Sequence, residues 1–221
     1  MRSILFQSQK HSIVEKNVIS LINKTSHIVN ARSLNSPRAV GDAIQELLEN
    51  KFEYLLPSGL THSYNSSFAR RSMADFAFED KEGFYYIVDN KTHNLSTEFN
   101  MPNLTSVERL SRFYEDDKNY FTVLMVAYVV KKKNVSADYC HFLPIEHLDW
   151  SCLTIGALGW GQIQIANSNK IKINRKQTRR AWMLQLCDKL AEFYPKEIGK
   201  ITKRIAHFEK IRTHWEKHPN F

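Results

Sequence analysis

The sequence predicts an α/β protein: a mixed central β-sheet flanked by helices, followed by a basic helical region at the C-terminal end. Two helical stripes of apolar residues come first, β-rich runs interrupted by one short helix fill the middle, and a long amphipathic tract closes the chain. Strands interleaved with helices in this way form a sheet covered by helical layers.

Residues 12–24 put Ile13, Val14, Val18, Leu21 and Ile22 on one stripe at helical spacing, which predicts a first helix. Ser36 and Pro37 open a second. A serine N-cap accepts from an orphan backbone N–H, and proline at the first helical position lacks an N–H that would have no partner there. Val40, Ile44, Leu47 and Leu48 form the apolar face of this helix, leaving Asp42, Gln45, Glu46 and Glu49 on its flank and outer side. Residues 57–72 are polar, contain Pro57 and Gly59, and read as an extended loop. Met73 to Phe78 and Phe84 to Val88 are β-rich runs around the charged turn 79–83, a hairpin whose second strand continues through Asp89, Asn90, Lys91, Thr92 and His93. Residues 104–113 fit a helix, 121–130 a central strand, 139–143 a further strand and 144–150 a short helix. Residues 158–173 read as two alternating strands joined at 167–169; residues 177–194 and 196–217 read as helices separated at Pro195. In the last of these, Ile198, Ile201, Ile205, Phe208 and Trp215 keep heptad-compatible spacing, interrupted by Arg212. Such a seam packs either on the chain's own core or on a second subunit.

The chain has 221 residues, 43% hydrophobic and 24% charged, a globular composition that excludes disordered and collagen-like architectures. One domain is expected over residues 1–221, with a core spanning 36–145 and a basic strand and helix region spanning 157–221. The longest apolar run, 121–130, is half of the roughly 20 residues a bilayer span requires. The N-terminus develops no signal-peptide apolar region, so a cytoplasmic location is expected. Cys140, Cys152 and Cys187 are odd in number and without paired spacing, which indicates neither a disulfide framework nor a zinc site. The net charge of +8 is unevenly placed: residues 170–221 hold 14 Lys and Arg against 5 Asp and Glu, whereas residues 1–169 hold 17 against 18. A basic terminal region on a near-neutral body suits a polyanion, most simply nucleic acid, or forms a solvated helical face.

Asp75 interrupts one apolar strand, and Asp89 with Lys91 closes the next. The side-chain period of two puts Asp89 and Lys91 on one face, and pairing of the hairpin brings all three together. Carboxylates are seldom buried without a partner, so two of them at a sheet edge beside a lysine suggest a hard divalent cation. A cross-strand ion pair is the plainer alternative. Acid-x-Lys occurs four times, at Glu49, Glu79, Asp89 and Asp116, and only Asp89 ends an apolar strand that follows another strand carrying an acid.

The helix SPRAVGDAIQELLE with Glu46, the strand MADFAF with Asp75 and the strand FYYIVDNKTH with Asp89 and Lys91 resemble the PD-(D/E)xK nuclease superfamily, and within it the type II restriction endonucleases. The resemblance covers residues 36–93 as a motif and extends to Leu143 as element order; Ala74 stands where the family's name has proline. It implies a Mg²⁺-dependent, sequence-specific endodeoxyribonuclease acting on double-stranded DNA. Asp75 and Asp89 would bind the metal, Lys91 would position or activate the attacking water, and Glu46 is an additional acid from the helix. It also implies a homodimer and a companion DNA methyltransferase. A repair or junction-resolving nuclease on the same core, and a DNA-binding protein without catalysis, are the alternatives.

Sequence readers place polar side chains against base edges and cations against phosphates. The candidates are Asn65, Arg70 and Arg71 before the first catalytic strand, and Asn94, Thr97, Asn100 and Asn103 after the second. Gln162 and Gln164 share one face of a strand, and Lys176, Arg179 and Arg180 form a basic group beyond it.

Overall fold

A computed structural model of the chain describes residues 3–25, 28–29, 36–65, 74–131 and 134–219. Two compact units emerge, residues 1–176 and 177–221. The first holds α1 (Ile4–Gln7), α2 (His11–Lys24), α3 (Pro37–Leu55), β1 (Thr61–Asn65), β2 (Phe76–Asp80), β3 (Tyr85–Asn94), β4 (Asn103–Ser106), α4 (Val107–Phe113), β5 (Asn119–Lys131), β6 (Asn134–Pro144), β7 (Leu153–Gly156) and β8 (Gln162–Ile165). The second is the single helix α5 (Arg179–Glu216) and its flanks.

The main sheet runs β1-β2-β3-β5-β6. Among the described residues, only its β3 and β5 pair is parallel. A parallel pair needs a crossover, and here it carries β4 and α4. β4 leaves the main sheet altogether and joins a second, antiparallel sheet of order β4-β8-β7. The architecture is the expected mixed sheet flanked by helices, followed by a basic C-terminal helix. Among the described residues no helix is long and apolar enough to cross a membrane.

Tyr86 and Val88 of β3, Leu124 and Val126 of β5 and Phe142 of β6 pack in one cluster with Val14, Val18, Ile44, Leu48 and Phe52 from α2 and α3. The pleat then turns Ile87, Asp89 and Lys91 to the other face. Ser36 caps α3 as expected, accepting from Ala39 N, with Pro37 next to it. A Cβ on Gly41 would lie 2.7 Å from Thr92 Oγ1, so glycine lets α3 approach β3 closely.

The hairpin turn is more than a charged surface loop. Asp80 is buried, and its Oδ1 accepts from Glu82 N at 2.9 Å and Phe84 N at 3.0 Å. Tyr86 donates its hydroxyl to Oδ2 at 2.7 Å. Gly83, at φ 76°, supplies the left-handed residue that closes the turn.

Several boundaries differ from the sequence expectation. The segment read as a loop contains the edge strand β1, paired with β2. The last strands form a hairpin of β7 with β8 around residues 157–161, whereas Ile173 makes only an isolated bridge to Leu148. Leu104 to Ser106 is strand, not the first turn of a helix, because it pairs with β8. Pro195 lies inside one continuous helix. Proline removes one i to i−4 hydrogen bond and crowds the carbonyl four residues back, which weakens a helix without always ending it.

Candidate active site

Asp75 occupies a bend immediately ahead of β2 rather than the strand itself. Its N–H donates to Val88 O at 2.9 Å, and the pairing of Phe76 with Val88 sets it beside the Asp89 end of β3. Lys91 Nζ donates to Asp89 Oδ1 at 2.7 Å, as their shared face requires. Both carboxylates feel the Lys91 ammonium, and Asp89 feels the Asp75 charge. The three groups expected from the sequence therefore meet.

Each carboxylate is held differently. Asp75 Oδ2 accepts from Asn90 N at 2.6 Å and Oδ1 from Gln45 Nε2 at 2.9 Å. Gln45 Nε2 also donates to Glu49 Oε1 at 2.8 Å, so one amide ties α3 to the bend. Burial raises the Asp75 carboxyl; the Asn90 N–H and Lys91 oppose the rise and Glu49 adds to it. Asp89 is 5% exposed, and burial pushes its carboxyl up to about 7 against the pull of Lys91, with Asp75 adding to the rise. Its Oδ2 is buried with no hydrogen-bond partner among the described residues. A carboxylate oxygen sealed from water and left without a donor is costly, and either a proton or a cation relieves that cost.

The donor set is two carboxylates; among the described residues no group of three or more His, Cys, Asp or Glu side chains is gathered for a metal. Hard oxygens in this number suit Mg²⁺, which retains waters and binds through one or two protein carboxylates. They do not suit structural Zn²⁺, which takes four protein ligands, mostly Cys and His.

Asp75, Asp89 and Lys91 line an open cavity of about 600 Å³. The same cavity is lined by Asn103, Thr105 and Ser106 of β4, Glu108 and Arg109 of α4, and Gln162 of β8. The crossover thus supplies much of the cavity's lining.

No family model matches this chain, and no curated protein matches it.

The remaining sequence-derived positions separate into groups. Glu46 is exposed on α3, and it is Glu49, three residues on, that acts on Asp75. Gln45 and Glu49 stand on the helix flank, but periodicity alone gives no way to choose among the polar residues there. Asn103 and Gln162 border the Asp89 cavity, and Gln164 Nε2 donates to Asn103 Oδ1 at 2.6 Å. Asn94, Thr97 and Asn100 border a different cavity of about 340 Å³, together with Arg38 and Asp42 of α3. The segment bearing them is fastened by Asn169, whose Nδ2 donates to Thr97 O and Glu98 O, each at 2.9 Å. His93 pairs with Asn169 Oδ1 at 2.7 Å rather than with the carboxylates. Asn65 ends β1, Lys176 is exposed at the end of the first unit, and Arg179 and Arg180 begin α5. Arg70 and Arg71 lie outside the described residues.

Proposed function

We propose that this chain is a Mg²⁺-dependent endodeoxyribonuclease of the type II restriction class, cutting double-stranded DNA at specific sites on a PD-(D/E)xK-like core. The observation that carries the reading is the meeting of Asp75, Asp89 and Lys91 at an open polar cavity, with one buried carboxylate oxygen left without a donor among the described residues. A structural ion pair has no need of a second, half-buried acid, nor of a cavity. A homodimer and a companion methyltransferase belong to the same reading.

A bound Mg²⁺ supplies positive charge at the scissile phosphate and lowers the pKa of a coordinated water. Asp75 and Asp89 provide the oxygens to hold it. Gln45 and the Asn90 N–H fix the orientation of Asp75, so that its remaining lone pairs keep one direction. Lys91, whose side chain is 24% exposed, presents an ammonium where the pentacovalent phosphorus gathers negative charge. Water attacks phosphorus and gives up a proton to solvent, the P–O bond to the leaving oxygen breaks with its electron pair on that oxygen, and the oxygen takes up a proton from a second water. Arg109, which lines the same cavity, suits a neighbouring phosphate.

Supercoiled plasmid incubated with the protein and Mg²⁺ is expected to give discrete linear fragments, and none in EDTA. Cuts confined to branched or damaged DNA would move the assignment to a repair or resolving nuclease. A mobility shift without cutting in any divalent metal would leave a DNA-binding protein. Gln45→Leu should keep the fold yet lose roughly 10- to 100-fold in cleavage, as loss of a ligand-orienting partner typically does. Part of that loss should be recovered at high Mg²⁺. Wild-type rates in Gln45→Leu would remove Gln45 from the site.

A further inference from the structure

From Tyr194 onward, α5 exposes a row of large apolar side chains. Tyr194, Ile198, Ile201, Ile205, Phe208 and Trp215 are all exposed, Ile198 at 64% and Phe208 at 67%. Their spacing alternates three and four residues up to Phe208, so they occupy the a and d positions of about three heptads, with Arg212 at one a position. The row is about 32 Å long at 1.5 Å per residue. A contiguous apolar surface of that extent marks an interaction site.

The rest of the heptad agrees with this assignment. Lys196, Lys203, Lys210 and Lys217 fall at every f position, the side farthest from an a/d seam. These four lysines are thus directed away from the apolar row. Arg204 falls at g and Glu209 at the following e, the two positions that face each other across a parallel pair. Arg204, Glu209 and Arg212 also flank a groove of about 400 Å³ floored by Ile201, Ile205 and Phe208.

We infer that α5 is a dimerisation helix, pairing in parallel and in register with α5 of a second copy of this chain. In that arrangement Arg204 of each helix meets Glu209 of the other, twice by symmetry, and no like charges face each other between e and g. An antiparallel pair sets Glu209 near Thr202 and Arg204 near Ile211 and gains neither contact. Arg212 enters the seam already paired with its own Glu216 at 3.0 Å, which lessens the repulsion between two copies. The inference stands whether or not the chain cuts DNA.

The test is the mass of the full-length protein in solution by light scattering and sedimentation at tens of micromolar. A dimer is expected. Ile201→Asp with Ile205→Asp should give a monomer of unchanged far-ultraviolet circular dichroism, the substituted positions being exposed. Arg204→Glu should weaken association roughly fivefold to tenfold, and Arg204→Glu with Glu209→Arg should restore it. In a Cys187→Ser background, Ile198→Cys should oxidise to a covalent dimer, which an antiparallel pair forbids by holding the two sites apart. A monomeric native chain, a dimer indifferent to the Asp substitutions, or a dimer that Ile198→Cys does not cross-link would overturn the assignment.

Discussion

Asp89→Asn is expected to abolish DNA cleavage, by at least about a thousandfold, or roughly 4 kcal/mol of barrier at 1.36 kcal/mol per decade. The amide keeps the shape of the carboxylate and removes the charge that would hold a divalent cation in the proposed nuclease. Stability should move the other way. In the metal-free protein the folded Asp89 carboxyl titrates at about 7, above its ordinary 3.8. Between those values the folded state binds the proton that the unfolded state has lost, so this group makes stability fall as pH rises through the window. Above pH 7 the full cost is present, on the order of a few kcal/mol. The neutral amide carries no such cost. Urea unfolding in EDTA should therefore show the variant gaining on the wild type from pH 4 to pH 7 and keeping its advantage above. A variant advantage of the same size at pH 5 and pH 8 would contradict a burial cost that exceeds the pull of Lys91; undiminished cleavage would remove Asp89 from the chemistry.

Asp80→Ala should unfold the protein or bring it close to that point, at a cost of roughly 3–5 kcal/mol. One carboxylate accepts two backbone N–H groups and the buried Tyr86 hydroxyl. Each backbone donor stranded by its removal costs about 1–3 kcal/mol, less at the exposed Glu82, and the Tyr86 hydroxyl keeps only its contact with the Ser3 hydroxyl. Asp80→Asn, with a single acceptor oxygen, should fall between the two, which gives a measurable midpoint even where the alanine variant does not fold. The effect reaches the candidate site because this turn sets the register of β2 against β3, and with it the approach of Asp75 to Asp89. A shift of less than about 1 kcal/mol for Asp80→Ala would mean that water replaces the lost acceptor.

The contrast between Asp80 and Asp89 shows what the sequence makes legible. Asp89 and Lys91 are readable because a strand has a rigid period of two, and an acid at the end of an apolar run is conspicuous. The α3 cap is readable for the same local reason, since Ser36 and Pro37 act within one turn. Asp80 lies in a run of charged residues closed by Gly83, where nothing local separates the buried carboxylate from its solvated neighbours. Gln45 and Glu49 depend on how α3 is rotated about its axis, and that is settled by tertiary packing, including the close contact at Gly41. The sequence displaces the hairpin of β7 with β8 because its turn, 157–161, contains Leu158 and Trp160, apolar residues that look like strand and are exposed. Pro195 misleads in the opposite sense: local steric cost argues for a break that the continuous helix does not show.

The departure of β4 from the main sheet separates two kinds of change that evolution or an engineer could make. The carboxylates are held where ladder pairing locks β2 and β3, while Asn103, Ser106 and Arg109 ride on the connection between β3 and β5, which Asn169 fastens at Thr97 and Glu98. Insertions in that connection that keep these ties are expected to remodel what the cleft admits and leave Asp75, Asp89 and Lys91 where they are, so selectivity and the proposed chemistry need not compete for the same backbone.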